Sequence, residues 1–287
     1  MKVVGVRMRC GHLLACPVCD APLQQEGSIL KCAQSHTFDI AREGYVNLLR
    51  KKQSGDTREM LQARRTFLEY GFYQPLSDTL NALVSSYLSE IPSSANILDA
   101  GCGEGYYLGR LLQSLLQSEQ HCFLGLDIAK DGIKMAAKRY QVASFVVANL
   151  KERLVITDQA IDVLLNIFAP RNPSEFARIM VSTGRLIVVI PGPGHLAQLR
   201  SALPLLQIEE NKQQHVIEQF VEHFALLEAV PVSYELDLQA EEIRQLVMMT
   251  PNYWHLSDEA RRAIGELHAM KTQVEFVCLV FQRSASS

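Results

Sequence analysis

Asn96-Ile-Leu-Asp99-Ala-Gly101-Cys102-Gly103-Glu-Gly105-Tyr-Tyr107 decides the fold of this chain. Asn96–Asp99 is short and apolar, as a buried strand requires, and the residues from Tyr106 to about Leu116 carry helical spacing. Strand, glycine loop and helix in that order form the first unit of a doubly wound α/β sheet. Glycines there allow a tight turn and close approach of backbone to a ligand. In such sheets the ligand lies beyond the carboxyl ends of the strands.

Working outward, Cys122–Asp127 predicts a second strand ending in an acid that can accept both hydroxyls of a ribose, with Ile128 beside it. A helix follows over Lys130–Tyr140. Ser144–Ala148 reads as strand three, and Asn149 stands where an adenine edge would be recognised. Ala160–Leu165 reads as strand four, a helix spans 173–181, and Gly184–Ile190 reads as strand five. Val274–Phe281 is a late strand and 229–237 another, with helices near 196–208 and 239–249. Gly101-x-Gly103-x-Gly105 alone leaves a dinucleotide-binding enzyme open. Asp99, immediately before the glycines, argues against it, because a carboxylate suits a sulfonium and an amino group and repels a pyrophosphate.

The N-terminal part carries a second pattern. Cys16-Pro-Val-Cys19 is followed by Cys32 and His36, in the order C-x2-C-x12-C-x3-H. Three thiolates and one imidazole can surround Zn2+ tetrahedrally, and four protein ligands leave no open position, so the expected role is structural. A redox pair would sit at the start of a helix after a strand, whereas Asp20-Ala-Pro-Leu23 reads as a turn. Ile29–Cys32 reads as a strand bringing in the second ligand pair. Cys10 and His12 compete for the metal but lie outside the two-pair pattern.

The organisation predicted is a zinc-binding module over 1–45, a basic linker with helices over 46–92, and the α/β domain over 93–287. Phe38, Tyr45 and Leu48 could join the arm of residues 36–49 to the larger domain. Helices are expected over 57–70 and 75–88. The net charge of -3 divides into +4 for residues 1–75 and -7 for the remainder. The basic residues Arg42, Arg50, Lys51, Lys52 and Arg58 read either as a solvated linker or as a grip on phosphates. At 48% apolar and 21% charged residues the composition is globular. No apolar run reaches the ~18 residues of a membrane span. The N-terminus is a poor secretory signal, which predicts a cytoplasmic location with reduced or metal-bound cysteines.

LDAGCGEGYY resembles motif I of class I methyltransferases. The chain as a whole is similar to the bacterial 23S rRNA (guanine-N1)-methyltransferase family. The resemblance rests on CPVCDAPL, HTFDIAREGYVNLL, GDTREMLQARRTFLEYGFYQPL, LDAGCGEGYY, GLDIAK with the AAKRY helix, and VIPGPGHL, over most of residues 16–196. LVMMTPNYW at 246–254 echoes it. The resemblance implies a seven-stranded class I methyltransferase sheet and methyl transfer from S-adenosyl-L-methionine to guanine N1. The implied target lies in a hairpin loop of 23S rRNA, in the helix 35 region, with the zinc module taking part in RNA recognition. It carries the zinc-ligand role to Cys16, Cys19, Cys32 and His36, the cofactor loop to Asp99, Gly101 and Gly103, and the ribose role to Asp127. Cys102, Tyr107, Ile128 and Asn149 complete the candidate cofactor set.

Asn166, Phe168 and His195 are the candidate catalytic residues: Phe168 for stacking, Asn166 or the Ala169 backbone for edge contacts, and His195 as an acid–base group or a helix cap. Asp56, Met60 and Arg64 are candidates for closing over the cofactor or substrate. The chain departs from the family pattern at Ala148–Ile156, at Asn166-Ile-Phe168-Ala-Pro170 and at Gly194, all on the face where a base would approach. The alternatives are a small-molecule methyltransferase, a catalytically inactive zinc protein that binds nucleic acid, and a dinucleotide oxidoreductase. A homodimer is compatible with the sequence.

Overall fold

The computed structural model describes residues 8–91, 94–115, 120–202, 211–250, 253 and 256–284. The helix expected near 196–208 and the 246–254 segment extend in part beyond these residues. β1 (Leu23–Glu26), β2 (Ile29–Cys32) and β3 (Thr37–Asp39) pair antiparallel in chain order. β4 (Tyr45–Asn47) leaves this small sheet for the larger one.

α1 (Arg58–Glu69) begins at Thr57, whose hydroxyl accepts the Met60 N–H, and turns Met60, Leu61, Ala63, Phe67 and Leu68 inward. α2 (Gln74–Glu90) carries Pro75 in its first turn, where no helix hydrogen bond is lost. There follow β5 (Asn96–Ala100), α3 (Tyr106–Ser114), β6 (Cys122–Asp127), α4 (Lys130–Arg139), β7 (Ser144–Val147), β8 (Ile161–Ile167), α5 (Pro173–Ile179) and β9 (Met180–Pro191). The chain ends with α6 (Ala197–Ala202), α7 (Lys212–Phe220), β10 (Phe224–Gln239), α8 (Ala240–Met248), α9 (Asp258–Glu266) and β11 (Ala269–Arg283).

The large sheet runs β10-β11-β9-β8-β5-β6-β7-β4. β4 to β9 are parallel where they pair, and β11 lies antiparallel between β9 and β10. All seven strands expected of a class I methyltransferase sheet are present. Tyr45–Asn47 adds an eighth at the edge, because the buried Tyr45 and Val46 pair with Phe145 and Val146. β10 and β11 also run longer than their apolar cores, since antiparallel pairing with each other carries their polar ends along.

Alternation of side chains along the strands divides the core in two. Ile97, Phe123, Phe145, Val163 and Leu165 pack with α1 to α4 and α8 on one face. Leu98, Leu124, Leu126, Val146 and Leu164 face the other way, against Leu13, Leu14, Leu23 and Leu30 of the N-terminal module. Residues 148–160, which connect β7 to β8, contain no helix. The zinc module takes the place a crossover helix would fill. The Ala15 N–H donates to the Val155 carbonyl at 2.9 Å and the Thr157 N–H to the Leu13 carbonyl at 2.9 Å.

One expectation is corrected here. Cys10 is neither a metal ligand nor a free thiol: it is joined to Cys122, 112 residues away, as a disulfide. Cys10 thereby lies against the start of β6, and its N–H also reaches the hydroxyl of Ser144, the first residue of β7. Cys16, Cys19, Cys32, Cys102 and Cys278 remain free of disulfides. No helix among the described residues is long and apolar enough to cross a membrane.

Candidate functional site

Two tight turns build the metal site. The Asp20 N–H bonds the Cys16 carbonyl, and the Ser35 N–H bonds the Cys32 carbonyl. Asp20 and Ser35 both take left-handed backbone angles that reverse the chain. The Val18 N–H points at the Cys16 sulfur, which suits a thiolate. The ligand atoms of Cys16, Cys19, Cys32 and His36 all lie within 4.8 Å of one another. Cys19 Sγ is 3.7 Å from Cys32 Sγ, and His36 Nδ1 is 3.4 Å from Cys32 Sγ and 3.6 Å from Cys16 Sγ. A tetrahedron with Zn–S of about 2.3 Å has edges of about 3.7 Å. The donor set therefore fits Zn2+, and the four ligands predicted from spacing are the four brought together.

At the carboxyl ends of β5 to β9 lies a cavity of about 780 Å³, a size typical of small-ligand sites. Asp99, Gly101, Cys102, Gly103, Tyr107, Asp127, Ile128 and Asn149 all line it, as do Phe168 and His195. The Gly101 and Cys102 N–H groups bond the Leu126 carbonyl, which clamps the glycine loop to β6. Asp127 accepts the Gly103 N–H at 2.9 Å and the Ala129 N–H at 2.7 Å, so its carboxylate is held rigidly with lone pairs to spare. Asn149 is tied to Gln53 and Glu152.

Asp99 is 1% exposed, and neither of its carboxylate oxygens has a hydrogen-bond partner. Burial pushes its pKa up to about 8, with Asp127 and Glu104 adding to the shift. Burial also raises Glu104 to about 7, against the pull of Arg64. Asp56, Asp99, Glu104 and Asp127 thus gather around Arg64, which bonds Asp56 at 2.6 Å and the Met249 carbonyl at 3.1 Å, while Lys151, Arg200 and Lys212 also line the cavity. A wall with these carboxylates, and an orphaned buried one at its floor, fits a ligand bearing an ammonium and a sulfonium. S-adenosylmethionine is such a ligand.

A pH dependence follows. A cation is held best by ionised Asp99 and Glu104, which the ligand-free site protonates below their raised pKa values. Cofactor affinity should therefore climb between pH 6 and pH 8.5, by up to about tenfold per pH unit for each proton released. Stability moves the opposite way. Both folded pKa values exceed the unfolded ones, so the ligand-free protein loses stability as pH rises from about 4 to about 8. Calorimetry in buffers of different ionisation enthalpy reads the proton release; an affinity flat across this range would refute the assignment.

Beyond the anionic half, the cavity turns aromatic. Phe168 is 47% exposed and held at a left-handed φ of 53°. Its ring lies 5.5 Å from that of Phe276, which also meets His195 at 4.6 Å and Tyr73 at 4.9 Å. Asn166 does not line the cavity. It is buried, and its Nδ2 donates to the carbonyls of Ala100 and Pro170. It holds the turn that presents Phe168 and Ala169.

Gln53, Ser54 and Gly55, from the stretch expected to be a solvated linker or a phosphate contact, form part of the cavity wall together with Asp56, a candidate for closing over cofactor or substrate. Gly55 lies so close over Ile128 and Ala129 that a Cβ would come within 2.8 Å of both. Nothing in the local sequence marks this contact. Glu104 was equally missed, although an acid inside a glycine loop is itself a signal.

A Rossmann-like sheet with this glycine loop, an anionic cavity at its switch point and a Cys/His metal site defines a class I S-adenosylmethionine-dependent methyltransferase with a structural zinc ribbon. The comparisons with known proteins agree. The zinc-ribbon family described as "RlmA, N-terminal" matches residues 14–54, and a methyltransferase domain family matches residues 91–223. A Streptomyces fradiae protein, 23S rRNA (guanine(748)-N(1))-methyltransferase, is 38% identical over 272 residues, covering 92% of this chain and 96% of that one. A Bacillus subtilis (strain 168) protein, provisionally named 23S rRNA (guanine-N(1)-)-methyltransferase YxjB, is 31% identical over 276 residues, covering 93% and 96%. The chain belongs to the 23S rRNA (guanine-N1)-methyltransferase family.

Proposed function

We propose that this protein transfers the methyl group of S-adenosylmethionine to N1 of a guanine in 23S rRNA, in the hairpin loop of the helix 35 region. The observation that carries the reading is one cavity with two halves, anionic around Asp99 and aromatic around Phe168. S-adenosylmethionine supplies a methyl group made electrophilic by its sulfonium. Asp99 takes the amino group, Asp127 the ribose hydroxyls and Asn149 the adenine edge. Tyr107, Ile128 and Cys102 form the walls.

Guanine N1 bears a proton in the neutral base. S-adenosylmethionine bound in the cavity would supply the methyl group to N1, and the guanine proton would leave to water. Phe168 stacks on the base, and the Asn166 hydrogen bonds fix the turn that holds it at attack distance. A hairpin loop lowers the cost of unstacking the target. Arg50 lines a cavity of about 390 Å³ beside the Cys16–Cys19 turn. With the exposed Lys51 and Lys52 that follow it in the chain, it offers the RNA backbone a run of positive charge. A cytoplasmic site of action goes with this reading.

The test is transfer of labelled methyl from S-adenosylmethionine to unmodified large-subunit RNA, followed by nuclease digestion and identification of the base. N1-methylguanosine in that loop is the expected product. Tight cofactor binding with no transfer to any RNA would overturn the assignment.

A further inference from the structure

His195 sits in the loop after β9, packed against Phe276 and Tyr73 and lining the aromatic half of the cavity. The backbone N–H of Glu275 points at its Nδ1 from 3.4 Å. A backbone N–H can only donate, so Nδ1 must carry the lone pair, and the ring proton of the neutral imidazole belongs to Nε2. The arrangement is braced from both sides. The Gly192 N–H bonds the Glu275 carbonyl at 2.8 Å, and the Gly194 N–H bonds the Glu275 carboxylate at 2.7 Å. A Cβ on Gly192 would strike the Glu275 side chain at 2.7 Å, so the loop and β11 are locked together. Nε2 has no protein partner among the described residues.

We infer that His195 is a catalytic hydrogen-bond donor and not the base: its Nε2–H binds O6 of the target guanine and stabilises the charge that O6 gains as N1 loses its proton. The inference rests on the guanine-N1 reading above and deepens it. A ring whose only free nitrogen already carries a proton cannot accept another there. Burial holds the imidazole neutral, with a pKa near 4, and Arg200 adds to that effect. Neutral imidazole donating to a developing oxyanion is a known catalytic device. The same N–H discriminates between purines. Guanine offers an acceptor at position 6, whereas adenine offers an amino donor that would meet it head on.

The test compares His195→Gln with His195→Phe in the full-length protein. Glutamine reaches the Nε2 position with an N–H but cannot take up a proton; phenylalanine keeps the ring and loses the N–H. The glutamine variant should keep kcat within about tenfold of the parent, and the phenylalanine variant should lose about a hundredfold or more in kcat. Cofactor affinity should stay unchanged in both. Nitrogen NMR of labelled histidine should find the His195 ring neutral and protonated on Nε2 from pH 6 to pH 8. A glutamine variant as inactive as the phenylalanine one, or a ring that protonates near pH 6.5 or carries its proton on Nδ1, would overturn the inference. A parent enzyme that methylates no guanine N1 would instead overturn the reading beneath it, and that outcome is read without any variant.

Discussion

Gly101→Ala is expected to weaken S-adenosylmethionine binding by more than about a hundredfold while the protein stays folded. The backbone at Gly101 has a φ of 97°. A side chain in this region costs about 1–2 kcal/mol before any collision. Here a collision is certain, because a Cβ would overlap that of Ala169, and the Ala169 Cα lies 3.7 Å away. Ala169 has no flexible side chain to swing aside. The substitution must push either the glycine loop or the turn of residues 168–170, at an overpacking cost of about 1–3 kcal/mol. Both move the cavity, and one moves Phe168 with it. Equilibrium binding measured beside a thermal melt separates this loss from unfolding. Gly265→Ala is the control, since nothing lies within 4 Å of the added carbon. Parent-like affinity in Gly101→Ala would mean that the loop does not form the cofactor's bed.

Removing the zinc, by a strong chelator or by Cys32→Ala, should abolish RNA methylation and lower the melting temperature by on the order of 10 °C. A structural Zn2+ supplies about 10–16 kcal/mol of folding free energy in isolated peptides. In this protein the effect cannot stay local. Cys16 and Cys32 belong to the apolar cluster that includes Leu98, Leu124 and Val146 of the central strands. With the ribbon loosened, that face of the sheet loses its cover over residues 154–157. The anionic half of the cavity is built by β5, β6 and α1, so cofactor affinity should change by less than about threefold in the protein that remains folded. Metal content, melting temperature, cofactor binding and methylation measured on one preparation decide the matter. Full RNA methylation by zinc-free protein would refute a role for the ribbon in presenting the substrate.

Much of this protein was legible before its structure. Asp99 with Gly101 and Gly103, the acid at Asp127, and Cys16, Cys19, Cys32 and His36 are local patterns. Each is set by what a tight turn or a metal demands within a few residues, and each falls where the pattern placed it. The central strands were equally plain, because a strand buried on both faces reads as a continuous apolar run.

What sequence could not decide depends on partners far apart along the chain. Asn166 was a candidate for touching the base, yet it is buried outside the cavity lining, and its Nδ2 donates to the carbonyls of Ala100, 66 residues away, and of Pro170. Ser54 and Gly55 read as linker or phosphate contact, though Asp56 beside them was a candidate for closing the site, because the close fit of Gly55 over Ile128 and Ala129 leaves no mark on either segment. The zinc module stands in for a missing helix only because residues 13–15 meet residues 155–157. His195 could have been a base by residue type. Its Glu275 neighbour, 80 residues on, determines which nitrogen carries the proton. Periodicity and spacing report the demands of the local backbone, and these residues answer instead to hydrogen bonds and van der Waals contacts made only when the sheet brings its strands together.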